Sequence, residues 1–172
     1  METKKAIALR KSVRGYQAKQ IDEQELTCIL AAGSAAPVGM GQYDALHVTV
    51  VQSEDKLARL TAAASKVMGQ DSPFYGAPTV ILLSSKEGTD PGIASCNAAC
   101  AMENMLLAGA ELGIGSVIVW SAAPAVQLDS ALKAALGIPA DYQATLGAAF
   151  GYPAVDDRQE KELVMRFGMN RT

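Results

Sequence analysis

Between Ile93 and Leu112 the chain reads IASCNAACAMENMLLAGAEL, and the only charges in it are Glu103 and Glu111. Such a stretch predicts a helix of about 30 Å at ~1.5 Å per residue. Its sides are Ala, Cys, Met and Leu, so it is expected to be buried nearly all round. Whatever else the chain forms must cover that helix. Its polar residues Asn97, Asn104 and Glu111 recur every seven positions and share one narrow stripe.

The flanking segments supply candidate cover. Residues 2–11 predict a helix that the glycine of SVRGY breaks. IDEQELTCILAAGSAAP predicts a second, with Asp22 as N-cap, Glu25 three residues on, and Leu26, Ile29 and Leu30 on one face before Gly33 and Pro37 end it. ALHVTVV reads as a strand, residues 53–68 as a helix and TVILLSS as a second strand. After the long helix come the strand SVIVW, a helix over about 125–136, and a last strand within YQATLGAAFGYP. There is no repeat, low-complexity tract or linker, so residues 1–172 are expected to form a single domain. Interleaved strands and helices indicate α/β or α+β, with strand directions left open.

The chain is 49% hydrophobic and 19% charged, which suits a well-buried subunit with room for an oligomer interface. No apolar run reaches membrane-spanning length. METKKAIALRK has neither the apolar core nor the small-residue cleavage site of a signal peptide, so a cytoplasmic location is expected. The net charge of −3 is unevenly spread: residues 1–19 hold Lys4, Lys5, Arg10, Lys11, Arg14 and Lys19 against Glu2 alone. A basic segment on an acidic body suits a small anionic ligand better than nucleic acid, which needs an extended basic face.

Within that segment, RKSVR places Arg10, Lys11, Ser12 and Arg14 within five positions. It is either a solvated helix end or a phosphate clamp. Cys96 and Cys100 lack the further ligands a metal needs, and with Cys28 they read as small core residues; no metal site is expected. GMGQYD precedes its strand, and GIGS follows a helix, so neither is a dinucleotide fingerprint. P-loop, G-x-S-x-G and H-E-x-x-H patterns are missing, and His47 is the one histidine. No side-chain set is a self-sufficient catalyst, which leaves the hard chemistry to a cofactor.

Taken together, the segments resemble the FMN-dependent nitroreductase family. RKSVR looks like its R-x-S-x-R signature, and AAPVGMGQYDALHVTVV like its A-P-S-x-x-N-x-Q-P-W loop and following strand. NAACAMENMLLAGAELGIGSVIVW is similar to its central helix and next strand, and LGAAFGYP to its last core strand and turn. Gly41 departs from the loop's Asn, Tyr43 and Asp44 from its Pro-Trp, and Asn97 from a frequent Asp.

The resemblance implies an α+β subunit, a mostly antiparallel sheet flanked by helices in an intertwined homodimer, with FMN at the subunit interface. Arg10, Lys11 and Ser12 would hold the FMN phosphate, with Arg14 nearer the ribityl chain or pyrimidine edge. Arg158 and Lys161 could add cationic contacts. Pro37, Val38 and Gly39 would come from the partner subunit. Ile118 to Ser121 would pass the ring, with the Ser121 N–H near flavin N5, and Trp120 would be either a core aromatic or a pocket wall. No side chain would be catalytic: NADH or NADPH would reduce the flavin, and a nitroaromatic or quinone would collect the electrons. The alternatives are a flavin store without NAD(P)H turnover, or a thiol redox protein using Cys96 and Cys100.

Overall fold

The computed structural model describes residues 2–155 and 157–172. The elements are α1 (Thr3–Leu9), α2 (Glu23–Ser34), β1 (Leu46–Val51), α3 (Glu54–Met68), β2 (Thr79–Lys86), α4 (Pro91–Leu112), β3 (Gly115–Ile118), α5 (Ala122–Gln127), α6 (Ser130–Ala135) and β4 (Tyr142–Gly151). Two 3₁₀ turns, Gly39–Gly41 and Tyr43–Ala45, lead into β1.

Local chemistry sets the helix ends. The Asp22 carboxylate accepts from the Glu25 N–H at 2.8 Å while the Glu25 carboxylate accepts from the Asp22 N–H at 2.9 Å. Two backbone donors at the start of α2 are thereby satisfied reciprocally. Asp90 caps α4 by accepting from the N–H groups of Gly92 and Ile93 at 2.9 and 3.1 Å. Pro91 sits in the first turn, where its missing N–H costs nothing. Gly113 closes α4 with φ of +79°, a conformation glycine takes without a Cβ penalty.

The strands lie in the order β1-β2-β4-β3, and every neighbouring pair is antiparallel. This is the α+β architecture expected, with the directions that the sequence left open now fixed. In β2, Val80 and Leu82 enter a core with Leu60 of α3, Val126 of α5 and Leu132 of α6. Ile81 and Leu83 enter another with Ile29 of α2 and Met102 and Met105 of α4. Alternate residues face opposite sides, so a strand covered on both carries a continuous apolar run, here residues 80–83. The β2–β4 register slips at Leu83/Ser84, which leaves Thr145 without an opposite residue.

Several boundaries differ from expectation. α1 stops at Leu9, because Arg10 leaves helical geometry (φ −59°, ψ 121°) to follow β3. The expected helix over 125–136 is two, because Asp129 leaves helical geometry and accepts from the Leu132 N–H at 2.9 Å, capping α6. β3 ends at Ile118, where the chain turns into α5. α4 is not buried all round within one chain: Ile93, Cys96, Ala99, Cys100 and Glu103 are exposed. The core role expected of the cysteines is overturned, since Cys28, Cys96 and Cys100 are all exposed free thiols. Among the described residues, no helix is long and apolar enough to cross a membrane. No group of three or more His, Cys, Asp or Glu among them is placed to hold a metal.

Candidate functional site

Three chain segments converge beside the C-terminal end of α4. Beyond α1 the backbone runs parallel to β3, with Ser12 bridging Ser116 and the Val13 N–H donating to the Ser116 carbonyl at 3.0 Å. Gly115 permits this approach, because a Cβ there would lie 2.8 Å from Val13 Cγ2. Past β4, Ala154 donates to the Gly15 carbonyl at 2.9 Å. The C-terminal segment then returns to α1: Lys161 N–H donates to the Ala8 carbonyl at 3.0 Å, and its Nζ to the Arg10 carbonyl at 2.6 Å.

Together these segments line a pocket of about 30 Å³ that includes Arg10, Lys11 and Arg158. Arg158 Nη1 lies 2.9 Å from where a Gly113 Cβ would stand, so the left-handed Gly113 also admits the guanidinium. Two carboxylates serve these cations. Lys11 Nζ is 2.8 Å from Asp157 Oδ2 and also donates to the Asp157 carbonyl, and Arg10 Nε is 3.8 Å from Glu103 Oε1. The Lys161 ammonium is pushed below the usual lysine range, first by lost hydration and then by Arg10, with Arg166 adding and Glu103 opposing. Cations crowd here. Lys161 borders the pocket through its bond to Arg10.

Ser12 joins the site through its backbone and presents an exposed side chain. Arg14 is exposed and does not line the pocket; it lies near Tyr16. Tyr16 donates to the Val13 carbonyl at 2.9 Å, and its phenol is pushed well above the usual range, first by burial, then by Tyr75, with Arg14 opposing. It remains a neutral donor that pins the chain at Val13.

Pro37, Val38 and Gly39 lie elsewhere. The Gly39 N–H donates to Asn97 Oδ1 at 2.9 Å, and a Cβ on Gly39 would stand 3.0 Å from Ile93 Cγ2. They therefore sit at the N-terminal end of α4. Asn97 and Gly113 are about 24 Å apart at ~1.5 Å per residue. One chain does not bring these two groups together.

The third group follows β3. Val119 N–H donates to the Gly147 carbonyl at 2.9 Å, and the chain turns so that Ser121 is fully buried. Ser121 Oγ has no hydrogen-bond partner among the described residues, and none of their backbone carbonyls takes its N–H. Ile118 is 45% exposed, and Trp120 is 71% exposed, which overturns the core-aromatic reading of Trp120. Sequence reasoning missed Asp157 and Glu103 as partners of Lys11 and Arg10. The one available signal was an acid soon after the G-Y-P turn.

A four-stranded antiparallel sheet between helical layers, with a cationic pocket where β3 meets the N-terminal segment, defines an α+β class of subunit. The model of the nitroreductase family matches residues 7–70 and 62–152. An Archaeoglobus fulgidus protein named as an NADH dehydrogenase/NAD(P)H nitroreductase is 33% identical over 174 residues, covering 99% of this chain and 95% of that one. A Bacteroides fragilis nitroreductase solved with bound FMN is 29% identical, covers 100% of this chain and 99% of its own, and superposes with a TM-score of 0.86. A Desulfitobacterium hafniense nitroreductase at 20% identity shares the fold at the same TM-score, over 100% of this chain and 99% of its own. The chain belongs to the nitroreductase family.

Proposed function

We propose that this chain is an FMN-dependent oxidoreductase that works as a homodimer, with residues 1–172 forming one FMN-binding unit. The observation that carries the reading is the convergence of Arg10, Lys11 and Arg158, from segments remote in sequence, on one pocket. Guanidinium forks and an ammonium match phosphate oxygens, and the Ser12 hydroxyl adds a neutral donor. The turn after β3 exposes Ile118 and the Trp120 indole, apolar surface that suits the edge of a ring. This donor set fits FMN.

Arg10, Lys11, Ser12 and Arg158 would hold the phosphate, and Arg14 would face the ribityl chain or pyrimidine edge. The Ser121 N–H, buried in the single chain, would be the donor on the N5 side, where a fixed donor stabilises developing charge. The chemistry FMN supplies when bound is hydride acceptance at N5 from NADH or NADPH and onward transfer to a small electrophile such as a nitroaromatic or quinone. No side-chain acid or base is assigned; the residues position and polarise. Pairing α4 antiparallel with a second copy sets the N-terminal end of one helix beside the C-terminal end of the other. Pro37, Val38 and Gly39 of the partner subunit then complete the site.

The test is a visible spectrum after FMN addition and desalting, followed by anaerobic NADH and NADPH. Retained flavin bands that bleach with either nucleotide are expected. Retained bands that persist with both would leave a flavin store, and no retained flavin would remove the assignment.

A further inference from the structure

We infer that Asp157 is a built-in competitor for the phosphate site and sets how tightly the cofactor is held; the inference rests on the FMN reading above. Lys11, central to the clamp, already has an anion: Asp157 Oδ2 at 2.8 Å, with the Asp157 carbonyl accepting from the same ammonium. An incoming phosphate therefore competes with the carboxylate for the Lys11 ammonium.

The exchange is easy for the protein. The Asp157 side chain is 57% exposed, so it rehydrates without leaving a buried charge behind. The backbone around it stays anchored through Lys161, whose N–H and Nζ bond the Ala8 and Arg10 carbonyls. Asp157 thus offsets the charge of the clamp when phosphate is absent and repels phosphate as it arrives. The same segment carries Arg158, so one strap brings both a cation that attracts the phosphate and an anion that opposes it. Its effect is confined to the phosphate end of the ligand.

The experiment is a titration of the flavin-free full chain, followed by quenching of flavin fluorescence, with FMN and with riboflavin as the phosphate-free probe. Asp157→Asn keeps the side-chain shape and removes the charge. It is expected to bind FMN about fivefold more tightly, the size of a partly exposed ion pair, with riboflavin unchanged. Glu160→Gln, at an exposed acid on the same strap, is expected to leave both affinities unchanged. Equal or weaker FMN binding by Asp157→Asn would overturn the inference, as would an equal gain for riboflavin. A wild-type chain that shows no preference for FMN over riboflavin would instead sink the phosphate clamp itself, and this inference with it.

Discussion

Tyr152 shows how one side chain ties distant segments together. Its hydroxyl donates to Glu25 Oε2 at 2.5 Å, and Lys19 Nζ lies 4.1 Å from its ring centre. Glu25 thus serves both the capping box of α2 and the residue that leads from β4 into the strap. The phenol is pushed up to about 12, chiefly because only the protonated hydroxyl can donate to the carboxylate, with burial adding. Its folded pKa lies above the unfolded value near 10, so the contribution is fully present below pH ~10 and lost as pH rises through about 12. Tyr152→Phe is expected to unfold more readily than wild type at neutral pH, with the gap closing across that alkaline window. Denaturant melts at several pH values check it. A gap independent of pH would assign the loss to packing.

At the scale of elements, Gly147 holds the site's turn in place. A Cβ there would stand 2.5 Å from Ala122 Cβ and 2.9 Å from Leu82 Cδ2, and its carbonyl accepts from Val119. Ala122 has no flexible end to swing aside, so α5 and the Ser121 turn before it must move. Gly147→Ala is expected to cost about 1–3 kcal/mol, the usual penalty for overpacking, and to weaken flavin retention as well. Chemical denaturation and the flavin spectrum measure the two effects. A stable variant that retains flavin normally would show that the turn tolerates displacement. Gly33 makes a similar approach between α2 and α4, with Met105 Cε 2.2 Å from its would-be Cβ. There a flexible thioether can yield, so Gly147 is the sharper test.

At the scale of the whole molecule, one chain leaves much apolar surface uncovered. Ile93, Cys96, Ala99 and Cys100 run along α4, and the C-terminal segment exposes Leu163, Val164, Met165, Phe167 and Met169. Phe167 is 85% exposed. Exposed apolar side chains in this number suit an interface between copies of the chain. Sedimentation equilibrium is expected to find a particle of two 18.0 kDa chains at micromolar concentration. A monomer that binds FMN fully would overturn the partner role of Pro37, Val38 and Gly39.

The sequence by itself determined every strand, most helix ends and the clustering of cations in the N-terminal segment. These rest on short-range physics: period-2 and period-3.6 patterning, an Asp–Glu capping box, and cations packed within five positions. The break at Asp129 went unread because a capping Asp inside a helical pattern competes locally with the helix, and packing decides the outcome. The all-apolar pattern of α4 gave its burial but not what buries it. One side meets the sheet and α2 within the chain, and the other faces outward. Only the tertiary structure decided that Arg158 and Asp157 meet Lys11, that Gly39 hangs from Asn97, and that residues 37–39 and the cationic pocket lie at opposite ends of α4. Such contacts join residues far apart in the chain, and no local pattern encodes them.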